Sequence, residues 1–329
     1  MVHRFCFEAL DKTLRDILRF SDSRCVDKPF GGKVIVLGGE FRQILPVIPH
    51  GSRQQIVNAT INSSHLWSHC HLLTLTKNMR HTTGNGIKNY AEIKDFSDWL
   101  LKIGDGDLGD NIDGESMITI PDGLLIEESE HPLSDLVDFV HPNLLDHIKD
   151  PTFFRERAIL TPKLTDVAMI NEFLMSLIPG EEKTYFSSDN VLKQDNNSQI
   201  EDDEFSPEIL NTFSCSGIPD YKLILKVNVS VMLLRNIDQS RGLCNGTRLL
   251  ISRLGNCVVE GTVLTGSNIG EFVLIPRMTM SPSSHSFPIH FQRRQFPLVV
   301  SFAMSINKSQ GQSLSHVSIY LPRPVFTHG

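Results

Sequence analysis

At 329 residues the chain has room for two domains, each with its own core, and its 40% hydrophobic and 21% charged content is that of an ordinary soluble globular protein. No apolar run approaches the roughly 18 residues of a membrane helix, because LILKVNVSVMLL is broken by Lys226 and Asn228, so no membrane partner is expected. The net charge of −7 speaks against a nucleic-acid partner, yet 12 of the 38 acids and no Lys or Arg lie between Ile103 and Ile148, leaving 26 acids against 31 bases elsewhere.

In chain order, FCFEALDKTLRDIL places Phe7, Leu10, Leu14, Ile17 and Leu18 on one stripe and predicts an amphipathic helix. The start of the chain lacks the apolar core of a secretory signal, and acids appear by Glu8 and Asp11, which argues against a transit peptide. A Gly/Pro turn then leads into KVIVLGG, a continuous apolar stretch expected of a strand buried on both faces. RQQIVNATINSSHLWSHC reads as helix and HLLTLT as a second strand, an order that suggests part of a parallel α/β sheet. His65, His69 and His71 surround Cys70, but no second ligand cluster accompanies them and an amphipathic turn explains them. The six cysteines are scattered without a C-x-x-C pair, the pattern of free thiols in cytosol or nucleus.

IKDFSDWLLKIGDG predicts a helix with a glycine stop. The acidic stretch 103–148 follows, and its Gly/Asp-rich character predicts a solvated insertion. RERAILTPKLTDVAMINEFLMSLIPG reads as strand, turn and helix, and the polar segment after it as a mobile linker. Between Phe205 and Pro297, short strands punctuated by Gly, Asn and Pro predict a small β-barrel. FPLVVSFAMSINKSQGQSLSHVSIYL returns to strand, loop, short helix and strand.

Four places carry chemistry. Glu40, Arg42 and Gln43 follow two glycines at a predicted strand end, where open α/β sheets bind ligands. A glutamine there can orient a water or touch a terminal phosphate, and an acid can support the water shell of a magnesium ion. The same spacing also fits a loop closed by a salt bridge from Glu40 to Arg42 or Lys33. Arg80, at the second strand end, fits either a γ-phosphate contact or a surface arginine. Asn307, Lys308, Ser309, Gln310 and Gly311 follow a hydrophobic strand and suit a phosphate of nucleotide or nucleic acid, or simply an N-capped surface helix. Arg293 and Arg294 fit a phosphate-contact edge or a solvated turn.

Taken in order, GGKVIVLGGEFRQILPVI, LTLTKNMR, VMLLRNIDQSRGLCNGTRLLI and FPLVVSFAMSINKSQGQSL resemble the Pif family of ATP-dependent DNA helicases, in the superfamily that also holds RecD-like motors. The resemblance runs over essentially the whole chain and is closest to the eukaryotic branch that includes rolling-circle-transposon helicases. It implies an α/β fold of P-loop NTPase-like (RecA-like) lobes clamping ATP and Mg2+, with single-stranded DNA or a DNA fork across them. The implied organisation is a first lobe, incomplete, at 1–79, a second lobe at 80–204 and 298–329, and an inserted β-barrel at 205–297. By motif position, Gly39, Gln43, Arg80, Lys308, Gln310 and Gly311 would meet the nucleotide, with Gln43 and Arg80 sensing its terminal phosphate. Residues 307–311 would couple it to DNA, which Asn307, Lys308, Ser309, Arg293 and Arg294 would contact. The family has Asp where this chain has Glu40, which puts that residue's metal role in doubt. The resemblance further implies 5′ to 3′ unwinding, a monomer, work in DNA repair, recombination and telomere maintenance, and a nuclear location, with mitochondria known for the family.

One pattern departs from that expectation. No G-x-x-x-x-G-K-[ST] stretch occurs, and GNGIKN at Gly84 lacks both the spacing and the hydroxyl. The family's paired acids and its last catalytic arginine also have no counterpart, so the resemblance implies a chain cut through the motor at both ends. The alternative function is then a catalytically dead derivative that binds single-stranded DNA weakly.

Overall fold

The computed structural model describes residues 1–48, 51–79, 90–109, 111–112, 115–126, 129–191, 207–215, 217–282 and 290–322. They divide into two compact units, the first ending at Leu125 and the second beginning at Ile126.

In the first unit, α1 (Arg4–Leu18) forms where the apolar stripe predicts, but its one buried side chain is an acid. Asp11 is 4% exposed and accepts from the Phe30 backbone N–H and from Arg15, which also donates to the Val26 carbonyl at 2.9 Å. A carboxylate taken out of water needs such partners. These hold the turns Ser23–Asp27 and Pro29–Gly32 against the helix, with Phe30 at φ 51° and Gly31 at φ 64°. A side chain at Gly31 would meet the Leu18 methyl at 2.7 Å, so this close approach needs glycine. The single helix expected over 53–70 is shorter: α2 (Arg53–Asn58) opens on a Ser52–Gln55 capping box, and two 3-10 turns follow it. The helix α3 (Tyr90–Asp105) stops at Gly106, φ 76°, as predicted.

Neither expected strand of this unit forms. KVIVLGG and HLLTLT lie outside any ladder, and Val34, Val36 and Leu75 are 91%, 90% and 97% exposed. Apolar, β-branched sequence makes a strand only when another strand satisfies its backbone, and no described residue of the unit pairs with either stretch. The described ladder here is the two-residue pair β1 (Asn111–Ile112) and β2 (Glu115–Ser116).

The second unit is built on β3 (Arg157–Thr161). Two short helices precede it, α4 (Pro132–Val140) and α5 (Pro151–Arg155), and α6 (Leu164–Leu177) follows. Then come β4 (Lys183–Phe186), β5 (Ser188–Val191), α7 (Pro207–Thr212), β6 (Lys222–Leu225), β7 (Ser230–Leu233), β8 (Arg248–Leu254), β9 (Val258–Val263), β10 (Phe272–Pro276), β11 (Met278–Met280), β12 (Phe291–Gln295) and β13 (Leu298–Val300). The chain closes with β14 (Ala303–Ser305), α8 (Ile306–Ser309) and β15 (His316–Ile319). β3 is the middle strand of a parallel sheet, flanked by β14 and β15. Asn171 of α6 ties that helix to the sheet: its amide donates to the carbonyls of Val300 and Ala303 and accepts from the Ala303 N–H.

Two expectations change here. The strands of the predicted barrel do not close. β7 to β10 form an open antiparallel sheet with β13, in the order β10-β9-β8-β7-β13, while β6 pairs with β4 and β12 with β5 and β11. The acidic stretch is not solvated throughout, because Leu136, Val137, Val140 and Leu144 enter the main core beside Phe154 and Ile159. Their spacing on α4 outweighs the charge around them.

His141, at the end of α4, is fully buried between Phe153, Phe154 and Phe302, and neither ring nitrogen has a hydrogen-bond partner. Burial first, then the Arg248 and Arg157 charges, push its pKa down to about 3. The ring is therefore neutral when folded and gains a proton near the ordinary value of 6.5 only when unfolded. Its contribution to stability is fully present above that value and is lost as pH falls below it. Chemical denaturation should show stability falling by roughly 2 kcal/mol between about pH 7 and about pH 5, with a shallower fall in His141→Leu. Equal slopes in the two proteins would contradict this assignment.

Candidate nucleic-acid interface

The carboxyl end of β14 delivers the chain directly into the INKSQGQ segment, the position at which open α/β sheets bind ligands. The segment is an outward loop between two apolar anchors. Ile306 and Leu314 pack on Ala158, Leu160, Met232 and Met304, leaving Asn307, Gln310 and Gly311 exposed between them. The helix is shorter than a phosphate-binding helix start requires: α8 is one turn, closed by Ser309 Oγ donating to the Ile306 carbonyl at 2.7 Å. Gly311 lies at φ 80°, which lets the chain turn back toward Gln312.

What steadies this loop is a second motif. Lys308 Nζ donates to Asn245 Oδ1 at 2.9 Å, and Gln312 Nε2 donates to the Gly246 carbonyl at 2.9 Å. Asn245 and Gly246 make the turn between β7 and β8, with Gly246 at φ 95° and the Asn245 N–H bonded to Asn236 Oδ1 at 2.8 Å. RNIDQSRGLCNGTR and NKSQGQ therefore share one hydrogen-bonded surface. Sequence reading quoted both stretches but assigned no role to Asn236, Asn245 or Gln312. The Asn-Gly pair just ahead of a strand was the available signal for the turn. Lys308 is half-buried and its pKa is lowered, by burial first and by the Arg235 charge second.

Arg293 is not a DNA contact. It is 0% exposed on β12, and its guanidinium is used up inside. It pairs with Asp189 at 2.8 Å and also donates to the carbonyls of Leu210, Phe213 and Pro219. Successive strand residues face opposite sides, so Arg293 points into the core and Arg294 out to solvent, where it stays available.

In the first unit, Glu40, Arg42 and Gln43 form a turn rather than a strand end. Arg42 makes a two-pronged contact with Asp105, at 2.8 and 3.1 Å, and also reaches Glu40 Oε1 at 3.4 Å. Hydrogen bonding to Arg42 holds the Asp105 carboxyl below its usual range, and the same bond raises Arg42. The internal salt bridge is thus what the geometry shows, and the Glu40 carboxylate is engaged. Phe41 packs edge-on against Trp67 at 5.9 Å. Gln43 is exposed, and its backbone N–H bonds to the Glu40 carbonyl at 3.3 Å. A side chain added at Gly39 would touch nothing within 4 Å, so no close approach requires that glycine here. Arg80 lies outside the described residues. The Glu40 carboxylate thus faces Arg42, at 3.4 Å, in an exposed ion pair. Among the described residues no three His, Cys, Asp or Glu side chains gather as metal ligands, and no helix is long and apolar enough to cross a membrane.

The comparisons with known proteins agree with these motifs. Residues 1–114 match the PIF1-like helicase family and residues 208–254 match the 2B domain of DNA helicase Pif1. These matches support a kinship with the Pif1-like helicases. It is 26% identical to the ATP-dependent DNA helicase PIF1 of Xenopus laevis over 335 aligned residues, covering 100% of this chain and 42% of that protein. The rat helicase PIF1 is 32% identical over 167 residues, 50% of this chain and 23% of that one. The chain therefore spans less than half the length of these Pif1 relatives. Among solved structures, Pif1 helicase from Candida albicans superposes with a TM-score of 0.57 at 21% identity, covering 97% of this chain and 64% of that one. A Pif1 structure describing unwinding of forked DNA by two coordinating helicases gives 0.60 at 20% identity, covering 98% and 61%. These likenesses establish the Pif1 fold, whose lobes are RecA-like.

The two arginines of β12 separate cleanly by experiment. Arg293→Ala leaves Asp189 buried without its cation and should cost roughly 3–5 kcal/mol in denaturant unfolding, whereas Arg294→Ala should change stability by less than about 0.5 kcal/mol. Comparable values for both would contradict the inward assignment of Arg293.

Proposed function

We propose that these 329 residues supply the DNA-contacting surface of an ATP-dependent DNA helicase motor, with single-stranded DNA lying over the loop Asn307–Gly311 and the Asn245–Gly246 turn. The observation that carries the reading is the hydrogen-bonded union of those two motifs at the carboxyl end of the parallel sheet. Lys308 supplies a positive charge to a phosphodiester, while Asn307 supplies an amide donor beside it. Exposed backbone at Gly311 allows the strand to come close. From the Pif1 likeness we also carry as proposals 5′ to 3′ movement, work in repair, recombination and telomere maintenance, a nuclear location, a monomeric state and the lobe boundaries at 80, 205 and 298. Gln43 and Arg80 are the proposed sensors of ATP's terminal phosphate.

A second reading is favoured by one specific observation: the G-x-x-x-x-G-K-[ST] stretch does not occur among these residues. Phosphoryl transfer rests on that loop, its lysine and the metal held beside it. On their own, these 329 residues bind single-stranded DNA and do not turn over ATP. The purified chain should bind a labelled oligo-dT with an affinity that falls steeply with salt, and should show no DNA-stimulated phosphate release. ATP turnover that disappears in Gln43→Ala would overturn the second reading, and salt-independent binding would overturn the first.

A further inference from the structure

The cations of the second unit are not used alike. Arg293 is paired with Asp189, Arg241 with Glu271 at 3.2 Å, and Arg253 with Glu260 at 3.1 Å. Arg235 and Lys308 form no ion pair among the described residues. Arg235, two residues beyond β7, donates to the Ser281 carbonyl at 3.0 Å, and Lys308 donates to the neutral Asn245 amide. The nearby acid is committed elsewhere: Asp238 accepts from the Ser240 N–H and hydroxyl and from the Arg241 N–H.

Backbone bonds fix the two cations on one surface. Leu233 and the Gly246–Thr247 turn exchange hydrogen bonds of 2.8 and 2.9 Å, which sets Arg235 and Asn236 opposite Asn245. Asn236 then holds the Asn245 backbone, and the Asn245 side chain holds Lys308. The space beside the turn is open, since a side chain added at Gly246 or Gly311 would meet nothing within 4 Å. Burial and the Arg235 charge together lower the Lys308 pKa, so the charged lysine sits where another positive charge opposes it. Two half-buried cations kept together without a carboxylate gain most from an external anion.

We propose that Arg235 and Lys308 form a two-cation seat for one phosphodiester of single-stranded DNA, with Asn245 as the positioning residue that aims Lys308. The assignment of Arg235 and Asn245 rests on the proposed DNA-contacting role of this surface and adds residues that role does not require. The fork of Arg235 donates to two phosphate oxygens, while the lysine is a point charge beside them. Asn245 contributes through the amide oxygen that fixes the ammonium and through the turn it anchors.

Binding of the full 329-residue chain to labelled oligo-dT, measured over a range of NaCl concentrations, tests the seat. Each phosphate contact contributes about 0.7 to the slope of log affinity against log salt for single strands. Arg235→Ala should weaken binding severalfold and make the slope shallower by about that amount, and Arg235→Lys should keep most of the slope. Asn245→Ala should weaken binding at low salt with little change in thermal midpoint, and Arg253→Ala, which breaks a surface pair elsewhere, should match the wild type. If the wild-type chain binds no oligonucleotide, the DNA reading and the seat fall together. If it binds and Arg235→Ala keeps the wild-type slope, the seat alone is wrong. Arg235→Ala that instead weakens binding of ATP, leaving the DNA slope unchanged, overturns assignment of the phosphate to DNA.

Discussion

β3 is hydrogen-bonded along both edges, to β14 on one side and β15 on the other, and four of its five residues are buried. That double pairing fixes where β14 ends, and so where the chain emerges as the Lys308 loop. Asn171 strengthens the same point from above, using its whole amide on the backbone between β13 and β14. A buried amide with every group satisfied specifies one arrangement, because any shift would strand a polar group in the core. The proposed DNA surface thus takes its geometry from residues that never reach the surface.

The first unit shows the same chemistry without that constraint. KVIVLGG has the composition of a buried parallel strand, but its backbone has no ladder and its valines are exposed. The turn that follows is held by Arg42, Asp105 and Glu40 on the surface, and by the Phe41–Trp67 contact. Exposed ion pairs contribute little to stability, so this turn is placed by contacts far weaker than those around β3. Asp11 is the exception. Its buried carboxylate organises α1 and the turns beside it, a local event that needs only neighbouring residues.

What could be read in advance follows the range of the interactions. α1, α3, the strand–turn–helix of β3 and α6, and the strands from β7 to β10 were legible because their patterns are local. The family was legible because its motifs are specific in order and content. The missing ladders of the first unit were not legible, since pairing depends on residues distant in sequence. Nor could composition reveal that α4 leaves the acidic stretch to join the core. The pair Arg293-Arg294 held more information than was taken from it. Adjacent strand residues must diverge, and Phe291, Arg293 and Gln295 follow one face of β12 into the interior.

Arg293 and Arg235 show why a net charge of −7 says little about partners. Arg293 has its carboxylate inside the fold, along with three carbonyls, and contributes nothing to the field at the surface. Arg235 and Lys308 are held by a carbonyl and an amide, groups that orient a cation without neutralising it. Neutral partners preserve charge for a ligand, while ionic partners consume it. The 12 acids that tip the total negative lie between Ile103 and Ile148, and Asp105 among them is already engaged by Arg42. At short range the sign that matters to a phosphate is set by which cations lack an acid, and among the described residues Arg235 and Lys308 beside the Asn245 turn are two such cations.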